Sequence, residues 1–226
     1  MAIALGNNGS KSDSGSGDTT SFDSGTGSDR ILVVGFSSYD TTSADRQVSA
    51  VSYGGVALTK VAGSVTDNTT SNGRAEIWYL VNPATGSNNL SVTFAGANDV
   101  VNSDYFYAVF TGVDQDTPIN TSGSDNTTGG TQSRITLTTT VDNCVLVDVN
   151  NGDASESNYS VGAGQTELMN LSAGTGLGSY KAVGAAGAYN MDINTTASDD
   201  YAHGAIALAP ASGAPTTNSN FLMFFN

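Results

Sequence analysis

Apolar residues recur along this chain in short runs at close spacing, with Gly, Pro, Asn, Asp and Ser between them, the pattern of many short β-strands joined by turns. Arg74 to Val81 alternates Ala75, Ile77 and Tyr79 on one face with Glu76, Trp78 and Leu80 on the other. Neither face is simply polar, so this strand belongs inside a sandwich. A Pro/Gly/Asn turn leads from it to a second strand, Asn89 to Phe94. Arg30 to Tyr39 opens with a continuous apolar run and reads as a central strand buried on both faces. Val48 to Tyr53 and Val56 to Val61 flank Gly54-Gly55, a hairpin signal because both central positions accept positive φ. Tyr105 to Thr111 and Cys144 to Val149 read as further buried strands, and Arg134 to Thr140 as a half-exposed one. Ala2 to Leu5 is a candidate first strand. The polar tract that follows to Asp29, with a short strand at Thr19 to Phe22, reads as a long surface loop. Pro118 confines its segment to an edge or loop.

The second half echoes the first in order. CVLVDV from Cys144 follows ILVVGF from Ile31, and SVGAGQTELMNLSAG from Ser160 follows SYGGVALTKVAG from Ser52. SYKAVGAAGAYNMDI from Ser179 stands where IWYLVNPATGSNNLSVTF stands, and DYAHGAIAL from Asp200 matches DYFYAVF from Asp104, which aligns His203 with Tyr107. Both an internal duplication and shared strand composition produce such echoes. About a dozen strands at this spacing predict an all-β fold: a two-sheet antiparallel β-sandwich, jelly-roll-like. The expected organisation is one sandwich domain over residues 1–209, in which 30–119 and 144–209 are related halves if the echoes come from a duplication. A linker over 210–220 and an apolar tail over 221–226 follow.

Composition narrows the function. A net charge of −14, with seven Lys and Arg spread singly, offers no footprint for nucleic acid or an anionic membrane. No run approaches the roughly 20 apolar residues of a spanning helix. MAIALGNNGSKSDS lacks the basic start and long apolar run of an export signal, so assembly in a cytoplasm is the expectation.

Candidate chemistry is sparse. Cys144 is the only cysteine and sits among apolar residues, as a small hydrophobe does. His203, the only histidine, reads as an aromatic ring at a sheet surface, and a zinc or iron site lacks its ligands. Asp40 and Asp45, Asp114 and Asp116, Asp148 and Asp153, and Asp199 and Asp200 lie among Gly, Asn, Ser and Thr, where aspartates serve turns. DVNNGD, Asp148 to Asp153, offers oxygens for calcium, but Gly152 is misplaced for an EF-hand and the closing glutamate is missing. Gly174 to Ser179 lacks the lysine of a phosphate loop and reads as an ordinary loop. Sequons at Asn68, Asn120, Asn126 and Asn194 are expected by chance in so Asn- and Thr-rich a chain. A glycan platform has candidates in Trp78, Tyr79, Tyr105, Tyr107, Tyr180, Tyr189 and Tyr201, although core packing suits most of them better. No cofactor and no catalytic set is expected, and the chain reads as a non-enzyme.

The succession SDRILVVGFS, VSYGGVALTKV, AEIWYLVNPATGSNNLSVTF and AVFTGVDQDTPI resembles β-sandwich domains of bacteriophage virion accessory proteins, of decoration or fibre type, and of related bacterial surface proteins. The resemblance covers Ser28 to Ile119, with weaker agreement to Pro210. It implies a structural role in a virion assembled in the host cytoplasm, with capsid or tail proteins and further copies of the chain as partners. A carbohydrate-binding or adhesive module, on a phage tail or at the cell surface, is the alternative, and an extracellular filament subunit joined by strand donation a further one. The residues expected to dock on a partner are Phe221, Leu222, Met223, Phe224 and Phe225, an apolar end that needs cover.

Overall fold

The computed structural model describes residues 2–39, 47–68, 70, 72–96, 101–152, 159–171 and 176–212. Their strands are β1 (Ala4–Gly15), β2 (Gly17–Asp23), β3 (Ile31–Tyr39), β4 (Val48–Tyr53), β5 (Val56–Ala57), β6 (Thr59–Lys60), β7 (Thr66–Asn68) and β8 (Gly73–Val81). There follow β9 (Ser87–Phe94), β10 (Val101–Thr111), β11 (Ile119–Thr138), β12 (Val145–Gly152), β13 (Ser160–Val161), β14 (Thr166–Leu171), β15 (Gly176–Ala182) and β16 (Ala188–Leu208). One 3-10 turn, Ala62–Ser64, interrupts them. The protein is all-β, and its antiparallel sheets stack as a sandwich.

One large sheet has the order β1-β10-β3-β8-β6, with β7 also on β8; the other has the order β11-β16-β12-β15-β14, with β13 also on β16. They pack face to face through Ile31, Val33, Ile77, Phe106 and Ala108 from the first and Val147, Val149, Ile206 and Leu208 from the second. A third sheet, β2-β9-β4-β5, covers the opposite face of the first. Leu32, Val34, Trp78 and Tyr105 meet Val51, Tyr53, Leu90 and Val92 there. Alternate side chains of β3 thus enter two different cores, which is why its apolar run is unbroken and its first eight residues are buried.

The second large sheet folds over itself. A Cβ on Gly123 would lie 3.1 Å from Ile135 and 3.2 Å from Leu137. Residues that far apart on a straight strand stand about 40 Å from each other, so the β11–β16 ribbon doubles back. The bend lies where its register shifts, between Thr127 and Gln132, with Gly129 at φ 69°. The folded-over part forms an outer leaf whose Ile135, Leu137 and Met191 cover Leu146, Ala205 and Ala207.

Each half of the chain therefore builds a lobe of two leaves, and the strand order matches: β1-β10-β3-β8-β6 beside β11-β16-β12-β15-β14. Val33, which faces the shared core, pairs with Tyr79 and Ala108; Val147, facing the same core, pairs with Tyr180 and Ile206. Counting along the strands from these pairs sets Tyr105 against His203, Val34 against Asp148, Trp78 against Ser179 and Phe36 against Asn150. The sequence alignment of His203 with Tyr107 is off by two residues. Both alignments put the same side chains on the same face, because positions two apart on a strand share a face.

Several local expectations change. The tract from Gly6 to Asp29 holds most of β1 and all of β2, because an edge strand needs only backbone partners and tolerates polar, half-exposed side chains. Val56 to Val61 is not one strand: β5 pairs with β4, and β6 pairs with β8 in another sheet. Gly54 and Gly55 do make the tight turn, at φ 57° and 80°. Gly176 to Ser179 is strand, not loop, and Asp148 to Gly152 lies on β12. Pro210 still bridges Val113, and the Ala211 amide donates to the Gly112 carbonyl at 2.8 Å.

Candidate functional site

Two features stand out as candidate sites: a groove beside Ala209–Ser212, and a buried polar cluster between the leaves of the second lobe. The groove has a volume of about 470 Å³ and is lined by Ile119, Val141, Ala209 and Pro210, with Asp114 and Asn120 at its rim. Asp114 accepts from the amides of Asp116 (2.9 Å) and Thr117 (2.8 Å) and so shapes the turn before β11. Those amides hold its carboxyl below the ordinary range. Asn120 Nδ2 donates to Thr140 Oγ1 at 2.8 Å. Val141 is 40 % exposed, one of two large hydrophobics so exposed among the described residues. Ser212 also lines this groove; Phe221, Leu222, Met223, Phe224 and Phe225 lie outside the described residues.

The buried cluster centres on His203, fully enclosed rather than at a sheet surface. Its Nε2 is 3.2 Å from Asp148 Oδ2, and its Nδ1 is 3.0 Å from Ser133 Oγ. The Ser133 hydroxyl is also 2.8 Å from Asp125 Oδ2. Ser179 donates to Asp148 Oδ1 through its amide (2.9 Å) and its hydroxyl (2.6 Å). A serine, a histidine and an aspartate in series invite comparison with a hydrolase triad. Here all three have no exposed surface, so no substrate reaches the serine oxygen.

The first lobe has its own buried charge. Glu76 lies between Lys60 (2.7 Å) and Arg74 (3.3 Å) and accepts from the Val48 amide at 2.7 Å. Lys60 also stands 4.7 Å from the centre of the Trp78 ring. These contacts join β4, β6 and β8 and leave no carboxylate open to a ligand.

The remaining sequence candidates disperse. Asp40, Asp45 and Asp153 lie outside the described residues. Asp148 and Asp199 are buried in strands rather than placed in turns; Asp199 takes the Tyr159 hydroxyl and the Asp200 amide. Asn68 is buried, with Nδ2 donating to the carbonyls of Thr127 and Tyr201 at 3.1 Å each, so that sequon is closed. Cys144 packs in the outer core of the second lobe, where burial pushes its thiol up and the Asp142 charge adds to this. Trp78, Tyr105 and Tyr201 are core residues, and Tyr79, Tyr107, Tyr180 and Tyr189 are half-buried. Among the described residues no group of three His, Cys, Asp or Glu stands close enough to hold a metal ion. Among them, too, no helix is long and apolar enough to cross a membrane.

Sequence reasoning missed the Asp148 cluster. The signal was there: a charged residue inside the apolar run CVLVDV needs buried partners. No family model and no curated protein matches the chain.

Proposed function

We propose that the protein is a structural accessory component of a virion, a capsid decoration protein or a fibre or spike subunit, which works by contact with capsid or tail proteins and with its own copies. The observation that carries this reading is the place of β1 at the end of its sheet: Ala4–Gly15 runs along β10, and among the described residues no second strand pairs with it. A long open edge accepts a strand from another chain by backbone hydrogen bonding. Phe221 to Phe225, five apolar residues beyond a polar linker, are the segment of this chain best suited to seek such cover. The sequence resemblance to virion sandwich domains points the same way. A net charge of −14 keeps copies apart until backbone pairing and apolar burial outweigh the repulsion.

The test compares the full chain with one ending at Asn220, by sedimentation and by incorporation into particles. The full chain is expected to associate and to incorporate. A truncated chain that does both equally well removes the tail from the account.

A further inference from the structure

Four side chains form a line across the second lobe, from the rim of β11 to the middle of β12: Asp125, Ser133, His203 and Asp148. Its three links measure 2.8 Å (Asp125 Oδ2 to Ser133 Oγ), 3.0 Å (Ser133 Oγ to His203 Nδ1) and 3.2 Å (His203 Nε2 to Asp148 Oδ2). Every link needs one proton between its heavy atoms. A neutral serine brings one and a neutral imidazole brings one, while two carboxylates bring none.

We propose that the folded lobe holds one further proton in this line, and that the proton latches the outer leaf to the inner one. With it in place, the Ser133 hydroxyl donates to Asp125, His203 Nδ1–H donates to Ser133, and His203 Nε2–H donates to Asp148. The ring then carries positive charge between two carboxylates, one on each leaf. Without it, one link has two oxygens, or an oxygen and a nitrogen, facing each other with no hydrogen between.

The surroundings favour that extra proton. On β12, Asp148 and Asn150 face the ring, and neither polar atom of the Asn150 amide has a partner. On β15, Ser179 donates to Asp148, and Gln165, just before β14, donates through Nε2 to Asp148 Oδ2 at 3.3 Å. On β11, the Thr127 hydroxyl donates to Asp125 Oδ2 at 2.5 Å. The cations carried by these strands bond to groups outside the cluster: Arg134 to Asp192 at 2.6 Å, and Lys181 to the Asn190 carbonyl at 3.3 Å. Asp199 lies further along β16 and is taken by Tyr159. The charged groups that meet the line directly are thus both negative. In the first lobe the matching places hold Tyr105, Val34 and Trp78, so the device belongs to one lobe alone.

Linkage gives the sign. An unfolded histidine loses its proton near pH 6.5. A folded state that holds one proton more than the unfolded chain loses stability as pH rises, by about tenfold in the folding constant per pH unit. Asp125 is half-exposed and gives the proton a way to solvent. The lobe is tight in mildly acid medium and loosens in alkaline medium.

The experiment uses the full chain. Unfolding equilibria from pH 6 to 9 are compared for the native protein and for His203→Gln, and nitrogen-15 spectra of the single histidine are recorded at pH 7.5. The expected results are a tenfold fall per pH unit in the native protein, lost in His203→Gln, and two protonated ring nitrogens in the spectrum. One bare ring nitrogen, or the same slope in both proteins, overturns the proposal. If the variant does not fold, the native spectrum decides.

Discussion

His203 occupies in the second lobe the place that Tyr105 occupies in the first. Both rings cross from the inner leaf to the outer one: the Tyr105 hydroxyl donates to Asp18 on β2, and His203 Nδ1 meets Ser133 on β11. Their neighbours differ in kind. Val34 and Trp78 surround the tyrosine, while Asp148 and Ser179 surround the histidine. One lobe is held between its leaves mainly by apolar packing, the other by a buried polar cluster. Removing one member of such a cluster strands the rest. Asp148→Ala is therefore expected to cost about 3–5 kcal/mol, read as a lower denaturant midpoint at unchanged slope.

The two large sheets approach closely because glycines make room for Phe106. A Cβ on Gly178 would fall 2.6 Å from the Phe106 ring, and one on Gly35 would fall 2.3 Å from it. Gly178→Ala forces the ring or the sheets to shift, with an expected loss of about 1–3 kcal/mol. Thermal unfolding measures it, and an unchanged midpoint would mean that the sheets stand further apart than described.

Acid weakens the first lobe through Asp18. Burial raises its carboxyl, yet hydrogen bonds from Lys11, Tyr105 and the Thr19 amide outweigh burial, and the carboxyl lies below its ordinary range. A carboxylate depressed in the folded state contributes stability above its unfolded value, about 3.9, and that contribution fades as pH falls through the folded value. Asp18→Asn is expected to flatten the dependence of stability on pH below about 4. The comparison of unfolding midpoints from pH 2 to 6 checks it.

Cys144 is expected to resist alkylation in the native protein. The thiol has no exposed surface, burial pushes it toward its protonated form, and its Sγ lies 3.4 Å from the Val141 carbonyl. Reaction with a thiol reagent should track global unfolding; fast labelling of folded protein would show the outer leaf to be open.

The fold was legible where local chemistry decides it. Gly54-Gly55 announces its turn, and the apolar run from Ile31 announces a doubly covered strand. Legibility ended where partners are remote. β1 carries Gly, Ser and Asn because an edge makes few demands on its side chains, so no alternation marks it. The length of β11 was hidden by Gly129 and Gly130, which resemble a loop but serve a bend. Ser133 and Asp148 lie 70 and 55 residues from His203, and only the folded ribbon brings them to one ring.

The central claim is that this sandwich exists to be touched by copies and companions in a repeated assembly. Electron microscopy of particles from the producing host, labelled with antibody against the full chain, tests it most directly. The account predicts label at regularly repeated positions on capsid or tail. Label confined to free, monomeric protein would contradict it.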